Sequence, residues 1–375
     1  MNEINIKYRH AKKVIAHTQN YTSAMGSTLY RCSIMLHNLV IENLSSMNLV
    51  LQRVELSFLW NDCVLQTSYI DQESLGEMFL LGHNSLSRPP LNKLASSDEF
   101  FPDSVDDSHK IGANSQAFIP RIYVECFNQH IPDTLQLKVF AQNSSSSLIL
   151  NIDSYKNKND LLLPMDGPLA MIADQEELWG HRTMLAPEFG MDFIVLDQSL
   201  QERSNLDSVN KDHYCFSSPV YSCAAGVVHS SADGLPDNPK PFHPSKTFEQ
   251  IANYRGKVSD LQLGGGNFVL IDHGNEEYIL YAHLKLDSVL VKAGDKVEAG
   301  QKIAKCGNSG AGSLTPHLHL QMMNHPMTDQ AQGLPMRFGD MDNTIFSNEL
   351  LKSLGMPESL RSLVSHSKAL LVKKA

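Results

Sequence analysis

Three histidines in two strand-like runs carry the clearest chemical signal in this chain. The segment Pro316-His317-Leu318-His319-Leu320 sets two imidazoles two residues apart. On a strand, that spacing puts both rings on one face. Two histidines facing one cleft can divide the labour, one binding a metal and the other handling protons. A third, His283, closes the strand pattern Tyr281-Ala282-His283-Leu284. An HxH pair alone describes an incidental surface strand just as well, so the surrounding elements have to decide.

Those elements are specific. Between the two histidine runs lies VKAGDKVEAGQKIAKCGNSGAGSLTP, whose paired glycines define two tight turns and whose GNSGAGS loop leads into His317. MDFIVLD, PVYSCAAGVVHSS, NFVLIDHG, EYILYAHL and HLHLQMM are strand candidates, and Gly264-Gly265-Gly266 marks a tight entry into one of them. This β-rich region spans 179–345 and precedes a tail at 346–375 whose period is helical. The other half is also β: 27–153 holds short alternating strands with a hairpin signature at Asn61-Asp62, predicting a β-sandwich accessory domain without a catalytic constellation. Residues 1–26 read as a polar tail and 154–178 as a linker. The fold class expected is mainly β, a sandwich followed by a second β-rich domain and short C-terminal helices.

The stretch from Gly266 to Met323 resembles the lysostaphin/LytM zinc endopeptidases, whose pattern is a YxHL strand, VxxGDxVxxGQxI, GNSG-type glycines and HLH. The resemblance implies the duplicated hybrid-motif fold and a peptidoglycan-hydrolysing metallopeptidase. It also implies that Asp192 and His319 bind Zn2+, that His317 is the general base, and that His283 hydrogen-bonds the oxyanion. Upstream, the family carries HxGxD, and here Glu188 stands at the histidine position of Glu188-Phe189-Gly190-Met191-Asp192. Three readings stay open. Glu188 is the third ligand; or His181 is, in a His-Arg pair like that of a divergent branch lacking the first histidine; or the site binds no metal and the domain is a cell-wall-binding or regulatory protein. The same glycine pattern also resembles biotinyl or lipoyl carriers and sugar-phosphotransferase domains, but no carrier lysine sits at a hairpin tip.

Composition narrows the partners. With 375 residues, 42% hydrophobic and 19% charged, the chain is globular and long enough for two domains. A formal charge of −10 disfavours nucleic acid and anionic membrane surfaces, while the family resemblance implies a peptidoglycan peptide as the partner. Six cysteines without a CxxC pair read as buried thiols. The N-terminal run lacks a signal-type apolar core, and no stretch reaches transmembrane length. The substrate class places the protein in the periplasm or outside the cell, and the absent leader pattern leaves the cytoplasm open.

Overall fold

The computed structural model describes residues 3–9, 13–22, 28–86, 100, 105–167, 169–173, 180–197, 199, 201–205, 208–339 and 370–371. The chain divides into two compact units, Met1–Tyr155 and Lys156–Ala375. Both are mainly β, as the alternating runs predict.

In the first unit, Thr28–Asn43 pairs with Gln116–Asn128, Ile4–Tyr8 and His17–Thr22 in a four-stranded sheet. A second sheet runs in the order Lys13–Ile15, Ser145–Asp153, Thr134–Ala141, Leu49–Trp60, Cys63–Asp71. Ile34 and Leu36 of the first sheet share one apolar core with Val54, Leu56, Leu135 and Leu137 of the second. That is a two-layer sandwich. The hairpin signature holds: Asn61 and Asp62 both take positive φ, 48° and 62°, the geometry whose twist suits a two-residue loop. The tail expected over 1–26 contributes strands instead. Ile4 and Ile6 point into the core while Asn5 and Lys7 reach Glu42, so an edge strand with polar outward positions reads as a polar tail.

The second unit begins inside the expected linker. Buried Glu277 accepts hydrogen bonds from Lys158 N at 2.7 Å, Asn159 N at 3.0 Å and Asn159 Nδ2 at 2.6 Å. Leu169–Ala173 then joins the main sheet. The polar run Ser154–Asp160 looks like a linker because the carboxylate that satisfies it lies more than a hundred residues away in sequence. The main sheet is antiparallel, in the order Lys296–Val297, Gly226–Ala232, Asn267–Asp272, Tyr278–Leu284, Leu318–Met323, Met191–Val195, Leu169–Ala173, Leu370–Leu371. Tyr278–Leu284 and Leu318–Met323 are central and almost wholly buried. A small sheet pairs Pro219–Tyr221 with Lys302–Lys305. Of the tail expected to be helical over 346–375, Leu370–Leu371 pairs instead as a strand with Leu169–Ala170, and the rest lies outside the described residues.

Candidate metal centre

Register builds the site. His319 stands opposite Asp192 on one side and opposite Ala282 on the other, so three central strands present one cross-strand row. His283 follows Ala282 with φ of 58°, a left-handed conformation unusual for a residue with a Cβ. Strain of this kind persists only where the surroundings over-determine it, and it clusters at functional sites. His317 is held by an isolated bridge to Gly307 at the end of the GNSG loop. His181 opens a short 3₁₀ turn, His181–Thr183, ahead of the aspartate strand.

One ligand atom each from His181, Asp192 and His319 lies within 4.8 Å of the other two. His319 Nδ1 is 2.9 Å and His181 Nε2 is 3.6 Å from Asp192 Oδ1. Tetrahedral zinc with ligands at about 2.0–2.1 Å holds them roughly 3.4 Å apart, so this donor set fits that ion with small adjustments. His317 Nε2 stands 3.7 Å from the same oxygen. The His283 and His317 rings lie 4.7 Å apart, and the His181 and His319 rings 4.6 Å. Three imidazoles therefore surround one carboxylate, with His283 beside His317.

Hydrogen bonds fix the tautomers, because carbonyl oxygens only accept. His317 Nδ1 donates to Thr315 O at 2.7 Å, and His283 Nδ1 donates to Ser309 O at 2.8 Å. Whenever such a ring is neutral, Nε2 is thus the bare lone pair. His319 is the reverse case. Its Nε2 meets the amide oxygen of buried Gln321 at 2.8 Å, which turns Nδ1 toward Asp192. A carbonyl-type oxygen behind a histidine is the usual way of fixing a metal-binding tautomer.

The charges follow the geometry. Burial pushes the His283 pKa well below its ordinary value, and repulsion from His317 and His319 adds to this. Burial, with His319 beside it, lowers His181 to about 4. Burial alone would raise Asp192, but His317, His319 and His181 together hold it below the ordinary carboxylate range. Burial would lower His319, yet its hydrogen bond to Asp192 and the carboxylate charge carry it upward. The cluster thus holds an ionised aspartate, neutral His181 and His283, and one tightly held proton on His319.

A model described as Peptidase family M23 matches residues 248–332, which contain His283, His317 and His319. Lipoprotein NlpD of Yersinia enterocolitica is 39% identical over 71 residues, 19% of this chain and 71% of that protein. The chain belongs to peptidase family M23. Peptidoglycan DD-endopeptidase ShyA of Vibrio cholerae is 40% identical over 73 residues, which is 19% of this chain but only 16% of ShyA. Lysostaphin, the antimicrobial peptidase from Staphylococcus simulans, is 21% identical over 53% of this chain and 52% of its own, with a TM-score of 0.22.

Within this M23 chain, Glu188 and His181 part company. Glu188 is 1% exposed and binds Arg182 Nη2 at 3.1 Å, and Arg182 itself is fully buried. The glutamate at the histidine position therefore serves an interior ion pair, while His181 faces Asp192. Gln321 escaped the sequence reading, although the two-residue period places it on the same strand face as His317 and His319. The insertion Pro236–Gln262 also has a visible task. Asp237 accepts from Asn308 N at 2.7 Å, and Asn238 Nδ2 donates to Gly310 O at 2.9 Å and Ser313 O at 2.7 Å, pinning the loop that ends at His317.

Gly190 is packed between the two histidines on either side of Asp192. A Cβ there would come within 3.0 Å of His319 Cε1, 3.0 Å of Pro187 O and 3.1 Å of His181 Cγ. Gly190→Ala is expected to spread the two rings, weakening zinc affinity about 10–100-fold, the range for displaced ligand support. Titration against a chromogenic chelator reads the change. Unchanged affinity would mean that the rings yield freely.

Proposed function

We propose that the second unit is a zinc-dependent endopeptidase that hydrolyses peptide cross-links of bacterial peptidoglycan in the cell envelope. One observation carries the reading: His181 Nε2, Asp192 Oδ1 and His319 Nδ1 converge beside two imidazoles with bare Nε2 lone pairs. The substrate class is supported by a relative named as a peptidoglycan DD-endopeptidase, and the envelope location by one named as a lipoprotein. The first unit holds none of these residues and acts as an accessory module.

When bound by His181, Asp192 and His319, zinc supplies a Lewis acid and lowers the pKa of a water to about 7. His317, its Nδ1 committed to Thr315 O, takes a proton on Nε2 and returns it to the departing amine. His283 has the same tautomer, so it accepts a hydrogen bond at rest. It can donate to an oxyanion only after a proton has reached its Nε2. The neutral state imposed on His283 by burial suits the acceptor phase.

Metal must displace the proton that His319 holds on Nδ1, so binding releases a proton and tightens as pH rises. Because the His319 pKa is raised above 6.5, apparent zinc affinity should fall about tenfold per pH unit below that raised value and level off above it. His181, lowered to about 4, should steepen the fall only near pH 4. The test pairs zinc stoichiometry across pH with muropeptide release from purified sacculi. One zinc per chain and chelator-sensitive release support the reading. Protein that binds sacculi without zinc and cuts nothing would replace it with a binding or regulatory role.

A further inference from the structure

We propose that Arg203 and Phe242 form a subsite that grips a free carboxylate on the peptide substrate at the lip of the catalytic loop. The proposal rests on the peptidase reading above and names the chemistry of the substrate that this site selects.

The lip is built from two segments outside the motif. Arg203 is bridged antiparallel to His213, which is buried and has its Nε2 2.9 Å from Ser208 Oγ and its Nδ1 3.5 Å from Thr315 Oγ1. Thr315 is the residue whose carbonyl holds the His317 ring. From the insertion, Phe242 N donates to Leu314 O at 2.7 Å, setting the ring beside the same stretch of loop. The Arg203 guanidinium lies 4.7 Å from the centre of the Phe242 ring, whose other neighbour is His213 at 6.0 Å. The backbone of Arg203 thus borders, through His213, the loop residue that holds the proton-handling imidazole.

Three features of this patch point to a ligand. Phe242 is 49% exposed and Leu314 41%, an apolar step at the site's edge. Phe242 also takes φ of 60°, an outlier for a bulky side chain, held there by its bond to Leu314. Arg203 Nη1 is shielded from solvent and has no hydrogen-bond partner among the described residues. The carboxylate of its chain neighbour Glu202 stands 3.5 Å away and is one-third exposed, a screened contact that an incoming anion can displace.

The guanidinium fork matches a carboxylate in plane and spacing, and the phenyl ring beneath it limits the approach of water from that side. The chain's formal charge of −10 makes this a local selector and not part of a general anion-collecting surface. A peptide held here presents its backbone toward His317 and its free acid to Arg203, with apolar contact along Phe242 and Leu314.

The probe is a synthetic cross-linked stem peptide with a free carboxylate next to the scissile bond, compared with its carboxamide. The wild-type protein should prefer the acid by about ten- to a hundredfold in kcat/KM, the range for a charge-assisted hydrogen bond. Arg203→Gln should bring the preference close to one by slowing only the acid. Arg203→Lys, which keeps the charge without the fork, should fall between. A wild-type enzyme that cuts both peptides equally, or Arg203→Gln that keeps the preference, overturns the subsite and leaves the peptidase reading intact. If the wild-type protein cuts neither, the peptidase reading fails, and calorimetric binding of acid and amide to wild type and Arg203→Gln still decides the subsite by the same preference.

Discussion

His319→Ala is expected to lose stoichiometric zinc and with it all measurable cleavage, while the domain stays folded. In the proposed site the ring contributes one ligand atom of three, 2.9 Å from Asp192 Oδ1. Structural zinc sites with four ligands bind with about 10–16 kcal/mol, so one ligand is worth roughly 3–4 kcal/mol, or two to three decades of affinity. That loss brings tight binding into the range stripped by dilution. Fold loss is smaller, because His319 also carries the unusual charge arrangement. Its pKa is raised, so the protonated ring stabilises the metal-free fold below pH 6.5, and that contribution disappears as pH rises through the raised value. Above that raised value, the variant should therefore melt close to the metal-free wild type, while metal analysis separates them only when zinc is supplied. His317→Ala provides the contrast. It should keep zinc and lose about 10²–10⁴ in rate, the range for a proton-transfer residue. Zinc retained at full stoichiometry in His319→Ala would remove this ring from the ligand set.

How much of this was legible in the sequence depends on how local each cause is. The two-residue spacing of His317 and His319 and the glycine-bounded loop before them have local causes, and the structure sets these rings on and beside a central strand. The Asn61-Asp62 turn is local too, and both residues take the left-handed backbone it needs. Of the six cysteines read as buried thiols, all are free and five are buried, Cys63 being exposed at the start of its strand. What the sequence hid are pairings across long separations. The strand Ile4–Tyr8 looks polar until Asn43 and its neighbours are placed beside it. Segment 158–159 looks like a linker until Glu277 reaches its amides. Arg203 and Phe242 belong to segments without motifs, and only the fold brings Arg203 beside His213 and Phe242 to Leu314. Glu188 is the sharpest case. Its position in the motif suggests a ligand, but the carboxylate pairs with Arg182, six residues upstream and folded back through the 3₁₀ turn His181–Thr183.

That pair sets the second large prediction. Glu188→His restores the residue that the family pattern has at this position, and it is expected to destabilise the second unit by about 3–5 kcal/mol without adding a metal ligand. Both members of the pair are buried, Arg182 at 0% and Glu188 at 1% exposure. Removing one partner of a buried pair leaves the other charge poorly compensated in a medium of low polarity, which costs far more than the pair contributes when intact. An imidazole would add a second positive or neutral group beside a guanidinium that is already stacked against Phe189 at 5.2 Å. Denaturant unfolding of the metal-free protein measures the loss, and chelator competition measures zinc affinity. The double variant Arg182→Met, Glu188→Leu removes both charges and should recover most of the stability, because a well-packed apolar pair replaces a buried ionic one at little cost. If Glu188→His were as stable as wild type and bound zinc more tightly, the carboxylate would not be committed to Arg182. The third ligand would then come from position 188, leaving His181 with no part in the metal site.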